Sequence, residues 1–272
     1  MLIKNIQNCR KSIFGLLGPA FSFKCTLSPL TQVHLWRTYN LPVALSGLAA
    51  LPIRPNNIKS LTLFHNKILR GFLKLSNSSP TAALHFLLGE LPIEAKLHMD
   101  TLGLFHNIWA NPNTTVHEAI KYILKMKTTN STTWSNHVEI LCKIYGLPCP
   151  LYLLEHVPAY TKEHWKCLVS TKITVYFEKS LRATAANNSK MKYLNVELHG
   201  LTGRPHPSLL GIYTTQDAKK LRLHLKFLCG DFLTGLRRSI DLPGTSPACQ
   251  VCLAPEESIE QSYLSHQRTT SS

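Results

Sequence analysis

Acidic residues are scarce in this chain. Its 272 residues include 15 Asp and Glu against 30 Lys and Arg, which gives a formal net charge of +15. Residues 1–240 carry 29 basic and 11 acidic groups, a net charge of +18, whereas residues 241–272 carry one basic and four acidic groups, a net charge of −3. The positive charge of residues 1–240 attracts polyanions, and Lys and Arg that contact phosphates gain affinity by releasing counterions. RNA or DNA, bound through phosphate contacts, is therefore the leading partner, although surplus lysine also keeps helical surfaces solvated.

Long hydrophobic runs are absent as well. The longest apolar stretch, residues 41–53, is interrupted by Pro42, Ser46 and Pro52 and is shorter than the roughly 20 residues that a membrane helix needs. The first apolar stretch is broken by polar and basic residues, so it lacks the core of a signal peptide. The eight cysteines are scattered apart from one close pair. These features predict an intracellular protein, nuclear or cytoplasmic, that is neither secreted nor membrane-spanning.

Local signatures of catalysis are missing too. The chain has no Gly-rich phosphate loop, and its 13 histidines include no His-Glu-x-x-His spacing. We therefore interpret the histidines as helix-surface or interface residues. A catalytic Cys–His pair could still be formed by folding, since its members need not be close in sequence, but no local motif indicates one.

Hydrophobic periodicity is helical along the chain. In residues 58–74, for example, Leu61, Phe64, Ile68 and Phe72 share one helix face. No strand-like alternation competes with this pattern, so the sequence predicts an all-α fold, a multi-helix array with a short irregular C-terminal tail. The predicted helices are 2–17, 29–51, 58–74, 82–88, 92–109, 116–125, 134–145, 161–181 and 214–232.

Clusters of Asn, Ser, Thr, Pro and Gly separate these helices. The proline-rich stretch 201–207 cannot continue a helix, because each proline pushes the preceding residue towards extended geometry. We predict that it is a linker or an exposed turn. After Asp241 the composition shifts to Pro, Ser, Gln, Glu and Thr, which indicates a small appended element and a frayed tail.

Residues 42–111 resemble the segment that follows the polymerase palm in the reverse transcriptases of non-LTR (LINE-type) retrotransposons. The order of the elements carries the resemblance, since pairs such as Leu-Pro are common. The chain departs from the family at Ser46 and Ala49, where the family usually has Tyr and Glu, which indicates drift away from selection for polymerase function. The matching elements are Leu41-Pro42, Ser46-Gly47-Leu48, Leu69-Arg70-Gly71-Phe72, Gly89-Glu90-Leu91-Pro92 and the stretch from Leu102 to His106.

The tail resembles the zinc knuckle, C-x2-C…H-x4-C, in which this family often ends. Cys249 and Cys252 match its first pair, but Gln261 stands at the family's His and His266 at its last Cys. Tetrahedral zinc needs thiolate or imidazole ligands, so Cys249, Cys252 and His266 supply three, and a water would have to complete the site. The simpler interpretation is two free thiols on a mobile tail, and zinc is the only cofactor suggested. Upstream, Leu201-Thr202-Gly203-Arg204 is similar to the family's LTGH string.

The resemblance implies that the chain is a piece of a polymerase that lacks the catalytic residues. Reverse transcriptases hold two metal ions with adjacent aspartates, whereas the four aspartates of this chain are all isolated. We therefore expect no polymerase palm and no catalysis by this chain alone. The implied function is that of a non-catalytic C-terminal fragment of an RNA-directed DNA polymerase with residual RNA or DNA binding. The alternative is a helical protein-interaction module with no nucleic-acid role.

The resemblance also implies a division of the chain into three parts. Residues 1–155 would be a thumb-like helical region that follows the missing palm, and residues 156–240 a basic helical region. Residues 241–272 would be a degenerate knuckle-like tail, partly disordered.

Two basic helix faces are the predicted nucleic-acid-binding surfaces. One lies on helix 58–74, opposite its apolar face, and the other on helix 214–232, opposite an apolar stripe of Leu221, Leu225, Leu228 and Phe232. Basic side chains one turn apart can reach successive phosphates, although an ordinary solvated face remains the alternative for any one lysine. The four tryptophans fall within helices and are predicted to be core or interface residues. The predicted binding residues are Lys67, Arg70 and Lys74 on the first face and Lys219, Lys220, Arg222, Lys226, Arg237 and Arg238 on or after the second.

Overall fold

The computed structural model describes residues 1–21, 27–126, 133–156, 160–197, 201, 203–211 and 215–231, apart from the side chains of 16–21, 215, 216, 218 and 219. Within these ranges the regular elements are helical and none is a strand, so the predicted all-α, multi-helix fold is confirmed. None of the described helices combines the length and the apolar content that crossing a membrane requires. The predicted tail 241–272, with Cys249, Cys252 and His266, lies outside the described residues, and so do Phe232, Arg237 and Arg238 before it.

Most helices begin and end close to their predicted bounds. The side chains of Thr114, Thr133 and Thr161 cap three of them by accepting a hydrogen bond from the backbone N–H three residues later. The six-residue helix α9 is too short to show a helical period in the sequence. The helices are α1 (Leu2–Phe21), α2 (Pro29–Leu35), α3 (Leu41–Leu45), α4 (Pro55–Leu73), α5 (Thr81–Leu88), α6 (Ile93–Trp109), α7 (Thr115–Lys125), α8 (Trp134–Tyr145), α9 (Pro150–Glu155), α10 (Lys162–Ala186) and α11 (Thr215–Leu228), with 3₁₀ turns at Leu48–Ala50, Ser189–Met191 and Pro207–Leu209.

The single helix predicted over 29–51 is interrupted. Between α2 and α3 lies one turn of π-helix, Trp36–Asn40, after which the N–H of Leu41 donates to the carbonyl of Trp36, five residues back. The physical cause is Pro42, which has no N–H to donate and whose ring crowds the preceding turn. The widened turn places the Trp36 ring 5.7 Å from the His65 ring of α4.

Two large clusters of buried apolar side chains hold the helices together. The first core, which includes Trp36 and Leu225, joins residues 9–88 to residues 185–229. The second core, which includes Trp109 and Trp165, is formed within residues 95–177. Both take residues from either side of the boundary predicted between 155 and 156, so that boundary separates neither core. Removing these side chains from water is the main force that packs the array.

The stretch 201–207 is exposed at Gly203, Arg204 and Pro207, as its composition predicts, but it is not a free linker, because it is docked on the end of α5. Leu201 is buried, and the N–H of Gly203 donates to the carbonyl of Gly89 at 3.0 Å. The N–H of His206 donates to the carbonyl of Leu87 at 2.8 Å. Pro207 keeps His206 extended (φ −57°, ψ 140°), whereas Gly203 has a left-handed φ of +80°, and both of their N–H groups pair with the end of α5 instead of with water. The segment therefore closes the first core next to the turn between α5 and α6.

Candidate binding groove

A groove runs between α6 and α10, which pack against each other. It has a wide section of about 700 Å³ and a narrow section of about 450 Å³, and the two share Lys96, Met99 and Ser170. The wide section lies between α10, the π-helical turn and the turn that joins α5 to α6. The narrow section lies beside the first half of α10. The groove thus brings together segments that are far apart in the sequence.

Three lysines line the narrow section. Lys162 and Lys166 stand one turn apart on α10, and Lys96 comes from α6. The acid that faces them is Asp100, whose carboxylate lies 3.1 Å from the ammonium of Lys96. Among the residues that the structure describes, no carboxylate forms an ion pair with Lys162 or Lys166. The narrow section therefore carries positive charge that can attract an anion.

Each acid of the wide section is held by an arginine. Glu90 is paired with Arg37, and the carboxylate of Glu178 lies 2.6 Å from the guanidinium of Arg182. Burial raises the pKa of Glu90, and the charge of Arg37 opposes that shift. The wide section thus offers little free charge of either sign at its walls.

Two buried polar side chains of the wide section have no hydrogen-bond partner in the described part of the chain. Trp36 is 1% exposed and His65 is 4% exposed, and both line the section. Neither the indole N–H of Trp36 nor either ring nitrogen of His65 has a partner. Burial, together with the neighbouring His85, lowers the pKa of His65 to about 3. At neutral pH the imidazole is therefore uncharged and offers one donor and one acceptor.

The structure separates the residues of the first predicted binding face. Lys67 is exposed on α4, as expected for a phosphate contact. Arg70, however, is partly buried, and its guanidinium donates to the carbonyl of Ser79 at 2.9 Å and to the hydroxyl of Thr81 at 3.1 Å. Burial lowers the pKa of Arg70, and Asp231 opposes that shift. Arg70 thus ties the loop after α4 to α5, and Lys74 ends α4 in a left-handed conformation.

On the helix of the second predicted face, the structure shows the apolar stripe where that stripe is described. Leu221, Leu225 and Leu228 are buried, as the periodicity predicts. Lys220 is exposed, whereas Arg222 and Lys226 are half-buried. The side chain of Lys219, like Arg237 and Arg238, lies outside the described residues.

Some of the histidines that the sequence assigns to helix surfaces or interfaces lie in the interior of the fold instead. Among the described residues, five histidines are buried. Two of them have polar partners inside the fold: His98 lies 2.6 Å from the hydroxyl of Tyr145, and His85 lies 3.1 Å from the carbonyl of Glu90. In the part of the chain that is described, no group of three or more His, Cys, Asp or Glu could hold a metal ion. The buried histidines are His65, His85, His98, His106 and His117.

The lysines of the narrow section lie outside both predicted faces. The four-residue spacing of Lys162 and Lys166 is visible in the sequence, but nothing there shows that α6 delivers Lys96 beside them. Helix packing, which is non-local, supplies that information.

Comparison of the chain with profiles of protein families, with curated proteins and with solved structures finds no match.

Proposed function

We propose that this chain is a non-catalytic C-terminal piece of a non-LTR retrotransposon reverse transcriptase, and that it binds RNA or DNA through phosphate contacts. The origin rests on the ordered elements in residues 42–111. The binding rests on the positively charged narrow section of the groove, which we propose as the principal site. Lys67 on α4 and Lys220 on α11, both exposed, would add weaker contacts elsewhere.

The observation that carries the proposal is the convergence of Lys96, Lys162 and Lys166 on the narrow section of the groove, where Asp100 is the one acid among the described lining residues. A lysine ammonium is a compact charge with three donors, which suits a phosphate oxygen. Lys162 and Lys166 are one turn apart, so they can contact successive phosphates of one strand. Such contacts favour any sequence equally, since they read the backbone and not the bases.

The test is equilibrium binding of the folded full chain to a labelled single-stranded RNA at several salt concentrations. We expect affinity to fall steeply with salt, because each neutralised phosphate of a single strand contributes about −0.7 to the slope of log K against log salt concentration. The double variant Lys162→Gln/Lys166→Gln should bind more weakly at low salt. Its slope should be shallower by about 1.4 if each lysine contacts one phosphate.

The matched control is Lys59→Gln/Lys143→Gln, which removes the same charge from exposed positions on α4 and α8 outside the groove. We expect this control to keep nearly the whole slope. If both double variants weakened RNA binding equally, the binding would be spread over the basic surface and the groove would not be the site. A folded chain without salt-sensitive binding would overturn the proposed function.

One observation favours the alternative of a protein-interaction module. Helix α8 exposes Ile140 (55%) and Ile144 (46%) one turn apart on the same face. Apolar side chains exposed in this way can contribute to contacts between proteins. Sedimentation at low and high salt distinguishes the two functions. Association that persists at high salt and is lost in Ile140→Ser/Ile144→Ser would support this alternative.

A further inference from the structure

A second surface of α10, whose residues do not line the groove, adjoins α8. The rings of Tyr145 on α8 and Tyr176 on α10 lie 5.2 Å apart, so the two helices are in contact there. Tyr176 is 46% exposed, as is Ile144 on α8, and Ile140 is exposed one turn before Ile144. The two helices therefore present apolar side chains to solvent next to each other.

Positive charge lies beside these apolar side chains. Lys172 and Lys179 are exposed and share the side of α10 that carries Tyr176, since they precede and follow it by about one and two helical turns or less. Among the residues that the structure describes, neither lysine forms an ion pair with a carboxylate. The exposed acid of this part of α8 is Glu139, so the surface keeps a net positive charge. We name the surface formed by Ile140, Ile144, Lys172, Tyr176 and Lys179 the α8–α10 face.

The chemistry of the α8–α10 face selects its occupant. A nucleic-acid backbone could meet the lysines, but it would leave the isoleucines in water. The same face of a second copy would bring lysines against lysines, and like charges at close range repel. A segment that carries both acids and apolar side chains matches both parts of the face.

Residues 256–264 of this chain, which lie outside the described residues, form a segment of that composition. Nowhere else in the sequence do three acids fall within five residues, and the segment contains no Lys or Arg. In a helix, Ile259 and Tyr263 would stand one turn apart, and so would Glu256 and Glu260. The segment thus offers neighbouring apolar and acidic side chains that complement the face.

The chain that leads to this segment is long enough to reach the face. Gly230, close to the end of the described residues, packs against Lys190. Lys190 follows the end of α10 at Ala186 by at most about 14 Å of chain, and α10 measures about 15 Å from there back to Tyr176. Residues 232–255 can span up to about 80 Å when extended.

We infer that residues 256–264 dock on the α8–α10 face of the same chain. Their apolar side chains cover the isoleucines and the tyrosine, and their acids lie against the two lysines. This inference goes beyond the proposed function and does not depend on it, because no residue of the face lines the groove.

Photo-cross-linking of the full chain tests the docking. Ile144 is replaced by p-benzoylphenylalanine, the chain is irradiated, and the cross-linked peptides of the monomer are identified by mass spectrometry. We expect adducts with residues 256–264. The matched control carries the same photoreactive residue in place of Leu63, an exposed apolar position on α4, and should give at most about a tenth of that adduct.

Charge reversal tests the pairing of acids with lysines. Lys172→Glu/Lys179→Glu should lower the yield of the adduct at least fivefold, because like charges then face each other. Adding Glu256→Lys/Glu260→Lys to that variant should restore most of the yield. Thermal unfolding verifies that each variant folds.

The charge control is Lys59→Glu/Lys67→Glu, which reverses two exposed positions on α4 and should leave the yield unchanged. A folded monomer without the adduct would overturn the inference, and so would a yield that falls equally in both lysine variants. Adducts confined to covalent dimers would overturn docking within one chain, since a second copy would then supply the segment. An adduct in a chain that does not bind RNA would support the inference and overturn the proposed function alone.

Discussion

The two cores of this chain differ in whether their buried polar groups form hydrogen bonds. In the second core the indole of Trp165 donates to the carbonyl of Leu102 at 3.0 Å, and His98 lies 2.6 Å from the hydroxyl of Tyr145. Around the first core, Trp36 and His65 have no partner in the described part of the chain. The contrast is one of degree, since Trp109 in the second core also has an unpaired indole nitrogen. It shows that Trp36 and His65 are packed near the first core without the hydrogen bonds that Trp165 and His98 make in the second.

The cores also differ in how the chain assembles them. The second core uses residues 95–177 in sequence, whereas the first must bring residues 185–229 back to residues 9–88. Local contacts form quickly, and non-local contacts must first overcome the entropy of closing a long loop. We therefore infer that the second core is the more autonomous, and that the first depends on the contacts that close it.

Acidification should have the largest effect and should act more strongly on the first core. Burial lowers the pKa of His65 to about 3 and that of His85 and His98 to about 4, whereas an unfolded histidine titrates near its ordinary value of 6.5. Between pH 6.5 and about 4 the unfolded chain therefore binds more protons than the folded chain, so stability falls as the pH falls through this window. From pH 7 to pH 5 each histidine should cost about 2 kcal/mol of unfolding free energy. Two of the three belong to the first core.

Urea unfolding at pH 7 and pH 5 measures this loss. The raised pKa values of Glu90 and Glu94 act in the opposite direction and will offset part of it. Hydrogen exchange at pH 5 should show α4 and α5 losing protection before α8. Equal stability at the two pH values would contradict the burial of uncharged histidines.

A pair of glycines tests the closure of the first core. Gly89 and Gly146 both have a left-handed φ, +63° and +60°. A Cβ at Gly89 would lie 2.3 Å from the carbonyl oxygen of Arg204, whereas at Gly146 it meets no atom within 4 Å. Gly146→Ala should lower the free energy of unfolding by about 1–2 kcal/mol, because a residue with a Cβ is strained in a left-handed backbone. Gly89→Ala should cost about 3 kcal/mol or more, because it also displaces the segment that donates to Gly89 and Leu87.

Urea midpoints of the two glycine variants give these differences directly. If Gly89→Ala and Gly146→Ala lost comparable free energy of unfolding, the segment 203–206 would not hold the first core closed. A larger loss for Gly89→Ala, accompanied by increased hydrogen exchange at Gly203 and His206, would confirm the docking.

The sequence predicts local features of the fold well. It predicts both ends of α8, because Thr133 can cap the helix and Gly146 can end it. It fails where a distant segment changes the role of a residue. Periodicity assigns Arg70 to a basic face, but the loop that follows brings Ser79 and Thr81 to its guanidinium.

The candidate groove was predictable only in part. Net charge indicates an anionic partner, and the spacing of Lys162 and Lys166 gives a basic helix face. The delivery of Lys96 to that face depends on the packing of α6 against α10, which no local pattern encodes. The burial of His65 is equally hidden, because a histidine in a helix is usually interpreted as a surface residue.

The smallest expected effect comes from removing one buried imidazole from each core. His98→Leu leaves the hydroxyl of Tyr145 without its partner in a site that is 5% exposed, and should cost about 1–3 kcal/mol at pH 7. His65→Leu removes two unpaired nitrogens and puts a side chain of similar size in their place, so its cost should be close to zero. Urea unfolding of both variants measures the difference. An equal cost would mean that His65 makes contacts as favourable as those of His98.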